Sequence, residues 1–248
     1  MVNFWDVVNK VIKEADILLL VMDSRLTTET RNIEVEDKIK KTKKPYLYVL
    51  TKCDLITQEE SEKIKKTIKP SIFVSATQYH GLKMLREKII ILGKQNYTEK
   101  EKYTVGVLGY PNVGKSSLIN AINGRRAAGV SSISGFTKGV QRIKADNKIV
   151  FLDTPGVVPY SEKTIEKHTI IGTTDYNKTK DPDLTVIKLF DVFPGKIEQY
   201  YDIDEHIDAE EKIELIAKKL NILKTGGKPD TYRVSRKILK DWQEGTIK

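Results

Sequence analysis

The sequence predicts an α/β fold, a mostly parallel six-stranded sheet with helices on both faces, followed by a smaller, mainly helical C-terminal domain. Three observations carry this. Short apolar runs alternate with segments of helical period through the first two-thirds of the chain. One run, residues 17–22 (Ile-Leu-Leu-Leu-Val-Met), is apolar throughout, as a strand buried on both faces should be. After Val158 the texture changes to polar segments and longer helical patterns. With 248 residues there is length for two modest domains, and the boundaries expected are 1–158 and 159–248.

The elements follow in order. Residues 6–14 place Val7, Val8, Val11 and Ile12 on one helical face, and the strand 17–22 comes next. A charged helix over 33–41 precedes the breaker Pro45 and a strand at 46–50. Thr57 is set to cap a helix over 58–68, followed by a strand at 71–74 and a helix at 82–91 that Gly93 should end. Residues 93–102 (GKQNYTEKEK) are polar and aperiodic and read as a linker. A strand at 103–108 leads to a helix at 115–122, and runs at 140–144 and 149–152 flank Ala145-Asp146-Asn147-Lys148 as a hairpin. In the second part, Val186, Ile187, Leu189 and Phe190 form an apolar stretch before a loop at Pro194-Gly195. Helical patterns return at 209–220 and 231–242, separated by Thr225-Gly226-Gly227-Lys228-Pro229.

Composition narrows the class. Charged residues make up 31% and apolar residues 39%, which suits a soluble globular protein. The run at 17–22, bracketed by Asp16 and Asp23, is far too short to span a bilayer, so no membrane association is expected. No basic leader with an apolar core opens the chain, and a cytoplasmic address follows by default. The single Cys53 leaves no internal disulfide and no cysteine-cluster zinc site. The net charge of +9 is uneven: residues 1–158 carry 27 Lys/Arg against 17 Asp/Glu, residues 159–248 carry 16 against 17. Such an excess favours polyanion partners, although a lysine-rich proteome would also produce it.

The chemistry sits in short motifs. Gly109-Tyr110-Pro111-Asn112-Val113-Gly114-Lys115-Ser116 fits G-x-x-x-x-G-K-[ST] between a predicted strand and a predicted helix. Its glycines let backbone N–H groups, including those around Val113, Gly114 and Ser117, close on phosphate oxygens at a helix N-terminus. Lys115 would bridge the outer phosphates and Ser116 would offer its hydroxyl to Mg²⁺. Asp153-Thr154-Pro155-Gly156 ends a strand as D-x-x-G. There Asp153 would hold a Mg²⁺-bound water and the Gly156 N–H would sense the γ-phosphate. Thr137, in Gly135-Phe136-Thr137-Lys138-Gly139, is placed to complete the Mg²⁺ shell. Lys115, Thr137 and Gly156 are thus the candidate catalytic groups.

Base choice would come from Thr51-Lys52-Cys53-Asp54 and Ser75-Ala76-Thr77, each after a strand. Asp54 can accept from both the ring N–H and the exocyclic amine of guanine, a donor pair that adenine lacks, which favours GTP and GDP. Lys52 would lie along the base with its aliphatic stem, Thr51 could tie this loop to the phosphate loop, and the Ala76 N–H would meet the guanine carbonyl. These guanine motifs precede the phosphate motifs, so the order of a GTP site is rotated.

With that order the chain resembles the circularly permuted GTPases, and among them the YlqF/RbgA type of large-subunit ribosome-assembly GTPases. Asp23-Ser24-Arg25 with Arg31-Asn32 is similar to the family's D-A-R element, and residues 109–120 resemble its phosphate loop. Gly226-Gly227-Lys228-Pro229-Asp230 with Arg233, Asp241-Trp242 and Gly245 resembles its helical C-terminal ending. The resemblance implies a permuted P-loop GTPase fold, GTP hydrolysis, and large-subunit rRNA or a pre-ribosomal particle as partner, with the chain acting as a monomer. It also implies K⁺ at Asn112, where an Asn that only caps its own loop is the alternative. Two departures stand out. Bacterial members carry F-P-G-H-M near the N-terminus, whereas this chain starts Met1-Val2-Asn3-Phe4-Trp5-Asp6 and its first histidine is His80. At the position where Ras-like proteins place a water-orienting Gln stands Val157, which implies slow intrinsic hydrolysis.

Other residues carry less. His80, His168 and His206 show no ligand spacing, residues 202–208 read as a solvated acidic stretch, and Trp5 and Trp242 read as core anchors. Lys38, Lys40, Lys41, Lys43 and Lys44 form the densest basic run, either a solvated helix end or an rRNA contact. A regulatory GTPase whose C-terminal domain binds a protein, and a stand-alone nucleotide hydrolase, are the alternative functions.

Overall fold

Strands form at each of the six apolar runs: β1 (Ile17–Asp23), β2 (Tyr46–Thr51), β3 (Ser71–Phe73), β4 (Tyr103–Leu108), β5 (Gln141–Lys144) and β6 (Ile149–Asp153). The computed structural model describes residues 4–124, 140–155, 170 and 176–247. Contacts divide the chain into two units, residues 1–163 and 164–248. The sheet of the first unit runs β3-β2-β1-β4-β6-β5, parallel except for the β5–β6 hairpin. All seven residues of β1, the central strand beside β2 and β4, are buried. A strand at that place meets helices on both faces, which is why its sequence does not alternate.

The helices of this unit are α1 (Phe4–Glu14), α2 (Ile33–Lys41), α3 (Gln58–Thr67), α4 (Leu82–Asn96) and α5 (Lys115–Asn123). Val8, Val11 and Ile12 of α1 and Val35 and Ile39 of α2 pack with Leu18, Leu20 and Met22 on one side of the sheet. Each such side chain, fully buried, contributes about 1.5–3 kcal/mol. Asn32 caps α2 by accepting the Val35 N–H, and Thr57 and Glu60 form a reciprocal capping box on α3. Lys44 closes the C-terminus of α1: its ammonium donates to the carbonyls of Ile12 (2.7 Å), Lys13 (3.0 Å) and Ala15 (2.6 Å).

Two expectations need correction here. Gly93 does not end α4, which continues to Asn96. Its missing side chain serves packing instead, since a Cβ there would stand 2.5 Å from the Tyr103 ring. Residues 93–102 are also no linker. Tyr97 donates its hydroxyl to the Asp16 carbonyl (2.9 Å), and Lys100 pairs with the Asp16 carboxylate at 2.6 Å. Asp16 accepts the Thr104 N–H as well, so the connection is fastened to the start of β1 and β4.

The second unit contains α6 (Pro182–Val192), α7 (Lys196–Tyr201), α8 (Ala209–Lys219) and α9 (Thr231–Glu244). The apolar stretch 185–190 lies within α6, and α9 packs against both α6 and α8. Trp242 is fully buried, donates its indole N–H to the Ile170 carbonyl at 3.0 Å, and packs against Phe193 with ring centroids 4.5 Å apart. The Tyr201 hydroxyl donates to Asp241 at 2.7 Å, and Lys212 pairs with Glu198 at 2.7 Å inside the unit. The acidic stretch is exposed, with Asp202 paired to Lys219 and Asp208 capping α8. Helix α7 is too short for its period to be visible in sequence.

Candidate nucleotide site

The phosphate loop joins β4 to α5, the strand-loop-helix context its motif requires. Gly109 passes so close to β1 that a Cβ would stand 2.4 Å from the Val21 carbonyl oxygen. Asn112 (φ 59°) and Gly114 (φ 97°) are left-handed, which curls successive N–H groups toward a common point. Lys115 is only 5% exposed and donates to the loop carbonyls of Gly109 (3.0 Å) and Tyr110 (2.6 Å). Burial pushes its pKa down to about 8, against the opposing pull of Asp153. A cation held at such cost, at a helix N-terminus, is suited to a polyphosphate.

Asp153 ends β6 next to that helix. Its Oδ2 accepts the Ser116 hydroxyl at 2.9 Å, while its buried Oδ1 has no hydrogen-bond partner among the described residues. Burial raises its pKa, with Ser116 and Lys115 working the other way. A hydroxyl and an orphaned carboxylate oxygen side by side, all oxygen donors, fit a hard divalent cation such as Mg²⁺. Thr154 fixes the strand end by donating to the Val107 carbonyl at 2.7 Å.

The loops that carry the residues expected to choose the base lie at the ends of β2 and β3. The Thr51 hydroxyl stands between the carbonyls of Met22 (2.9 Å) and Val113 (2.5 Å), the latter in the phosphate loop. The same side chain lies 3.6 Å from the place of a Cβ on Gly114, so the two loops are in direct contact. Lys52 takes a left-handed backbone (φ 54°), and Cys53–Leu55, which carries Asp54, forms a short 3-10 turn. Ser75 is fully buried, its hydroxyl 3.0 Å from that of Thr77 and accepting the Gln78 N–H at 3.1 Å. A two-way backbone bridge between Ser75 and His80 closes the Ser75-Ala76-Thr77 turn.

Asp23 and Arg25, singled out in the sequence only through the likeness to the D-A-R element and with no role assigned there, stand against these residues. Asp23 binds Arg25 through both carboxylate oxygens (3.1 and 2.9 Å) and the Lys52 ammonium at 2.7 Å. Burial opposes its ionisation, but Lys52 and Arg25 outweigh that and hold the carboxyl well below the usual range. The available signal was an acid-x-basic turn directly after a fully buried strand. Thr51, Lys52, Asp54, Ser75, Ala76, Thr77, Asn112, Val113, Gly114 and Asp153 stand at the carboxyl ends of parallel strands of one sheet or in the loops they enter, and Lys115, Ser116 and Ser117 open α5. Thr137, Gly156 and Val157 lie outside the described residues, as does His168.

The basic run is partly committed within the chain. Lys38 lies over the Trp5 ring at 4.6 Å, Lys40 pairs with Glu36, and Lys44 caps α1. Lys41 and Lys43 remain exposed. His80 and His206 are exposed, and no group of three metal-ligating side chains occurs among the described residues. No helix among the described residues is long and apolar enough to cross a membrane.

A family model described as "50S ribosome-binding GTPase" matches residues 104–223. The chain is 39% identical to an uncharacterized GTP-binding protein of Methanocaldococcus jannaschii over 97% of its own length and 65% of the other's. It is 33% identical to nucleolar GTP-binding protein 2 of Saccharomyces cerevisiae over 99% of its length and 52% of that protein's. The chain thus spans between half and two-thirds of these relatives. Among solved structures, GDP-bound YlqF superposes with a TM-score of 0.69 at 23% identity, covering 96% of this chain and 94% of that one. GNP-bound YlqF from T. maritima gives 0.68 at 22% identity, covering 96% and 92%. With the loops after β2 and β3 ahead of the G-x-x-x-x-G-K-S loop on one continuous sheet, the chain has the fold of the circularly permuted GTPases of the YlqF type.

Proposed function

We propose that the chain binds GTP and GDP with Mg²⁺, hydrolyses GTP slowly, and acts as a large-subunit ribosome-assembly factor that contacts rRNA in a nucleotide-dependent way. One observation carries the nucleotide part: the contact of Thr51 with Val113, which joins base-reading and phosphate-reading loops into one site. In this reading Asp54 reads guanine, Lys52 covers it, and Ser75, Ala76 and Thr77 line its carbonyl side. The N–H groups of residues 113–117 and the Lys115 ammonium hold the phosphates. Ser116, Asp153 and Thr137 would hold Mg²⁺, which supplies charge neutralisation at the outer phosphates. Gly156 senses the γ-phosphate. Val157 can neither donate to nor accept from an attacking water, so hydrolysis is slow without help, and K⁺ at Asn112 is the help we propose.

The ribosomal part draws on the relatives' names and on charge. Lys224, Lys228, Arg233 and Lys240 are exposed in the C-terminal region, which we assign as the RNA-contacting domain, residues 159–248. Co-sedimentation with large-subunit particles tests this. Binding should be tighter with a non-hydrolysable GTP analogue than with GDP, by about 1–3 kcal/mol of coupling, and should weaken steeply with salt. Equal binding in both states would remove the assembly-switch reading.

A protein-binding regulator is the second reading, and one feature favours it. A hollow of about 410 Å³ in the C-terminal unit is lined by Leu184, Ile187 and Tyr232 together with four acids, Asp181, Asp183, Glu210 and Glu214, against the one base Lys180. Carboxylates there repel phosphate, so that face is unsuited to RNA.

A further inference from the structure

We infer that Asp23, braced by Arg25, is the positioning residue of the guanine-reading loop. It fixes Lys52 and, through Lys52, the place of Asp54. This rests on the GTP reading above and adds to it the part that sets base affinity.

The geometry builds up from the sheet. Parallel register places Asp23 opposite Thr51, so the carboxylate at the end of β1 reaches the first residue beyond β2. Its oxygens receive four donors: the Arg25 backbone N–H (3.0 Å) and Nε (3.1 Å) on Oδ1, and the Arg25 terminal nitrogen (2.9 Å) and Lys52 Nζ (2.7 Å) on Oδ2. That fills the carboxylate's hydrogen-bonding capacity, and both the Asp23 and Arg25 side chains are less than 5% exposed.

Capping the turn after β1 does not require the bond to Lys52. Asp23 Oδ1 already caps it by accepting the Arg25 N–H, and the Thr30 hydroxyl, which accepts the Asp23 N–H at 3.2 Å and donates to the Leu26 carbonyl at 2.6 Å, closes the loop separately. The Lys52 contact instead reaches across to a residue with a left-handed backbone, two positions before Asp54. A lysine in that conformation is uncommon, and a partner on its side chain favours it over the extended alternatives. Beside the backbone bonds from Cys53 N–H to Val74 (3.2 Å) and from Leu55 N–H to Lys52 (3.0 Å), the Asp23 carboxylate supplies the side-chain restraint, and Arg25 aims that carboxylate.

The test separates base from phosphate affinity. Asp23→Asn keeps the shape and removes the charge. It should lower GDP affinity about tenfold or more and leave inorganic pyrophosphate affinity within about twofold. The KM for GTP should rise by the same factor at unchanged kcat, the pattern of lost uniform binding. In a Lys52→Met background, Asp23→Asn should cost less than about twofold further, because both changes cut one contact. Should Asp23→Asn fail to fold by circular dichroism, Asp23→Glu, which keeps the charge and moves it by one methylene, carries the same expectation. A folded variant with GDP affinity within twofold of the parent, or fully additive losses with Lys52→Met, would overturn the proposal. A parent protein that binds GDP and ADP alike would instead overturn the guanine reading beneath it.

Discussion

Lys115 is nearly buried, and its ammonium already donates to two carbonyls of its own loop. Burial lowers its pKa to about 8, below the ordinary lysine value it regains on unfolding. Without nucleotide, the unfolded chain therefore holds more protons than the folded one between about pH 8 and 10.5. Stability from this group rises with pH across that window. Nucleotide binding has the opposite sign, because phosphate favours the charged lysine. Affinity for GDP should be flat below about pH 7.5 and fall by up to about tenfold per unit above pH 8. Calorimetric titration from pH 7 to 9.5 reads this directly, and a flat profile to pH 9.5 would contradict it. On the base side, Asp54→Asn should weaken GTP and GDP binding and favour xanthosine nucleotides. Thermal stabilisation by each nucleotide reports that change.

At the scale of elements, stability and binding should separate. Thr57→Ala removes one half of the α3 capping box, far from the phosphate loop in sequence, and should cost about 1 kcal/mol. Lys44→Ala leaves three carbonyls at the end of α1 without their donor and should cost about 1–2 kcal/mol. Gly93→Ala drives a methyl into the Tyr103 ring and should cost about 1–3 kcal/mol. Denaturant titration measures each, and GDP affinity of the folded variants should stay at the parent value.

The same elements show what was legible in sequence. The α2 bounds, the Thr57 cap and all six strands follow from local pattern, since caps and apolar runs act over a few residues. Gly93 misleads because a glycine stop and a glycine under a ring look alike until Tyr103 is brought to it. Residues 97–102 misled through their polarity: Tyr97 and Lys100 spend their polar groups on Asp16, more than 80 positions away. The motif residues that the sheet gathers at one end are visible in sequence because each motif is a fixed set of residue types at a fixed spacing. Asp23 is visible only as part of the D-A-R-like element, and its contact with Lys52 depends on a strand register that only the folded sheet supplies.

For the whole molecule, the rotated order of motifs is reconciled by the sheet. Strands β1 and β4 are neighbours, so Thr51 at the end of β2 meets the loop after β4 although the chain visits the two in the reverse of the usual motif order. The α4–β4 connection, tied to Asp16, is the segment that makes this possible. The proposed GTP site requires a base preference. Titration calorimetry of the parent protein with GDP and with ADP, both with Mg²⁺, tests it most directly. GDP should bind at least about a hundredfold more tightly, because a site built to accept the two guanine donors leaves Asp54 unpaired against adenine. Equal affinities for the two nucleotides would contradict it.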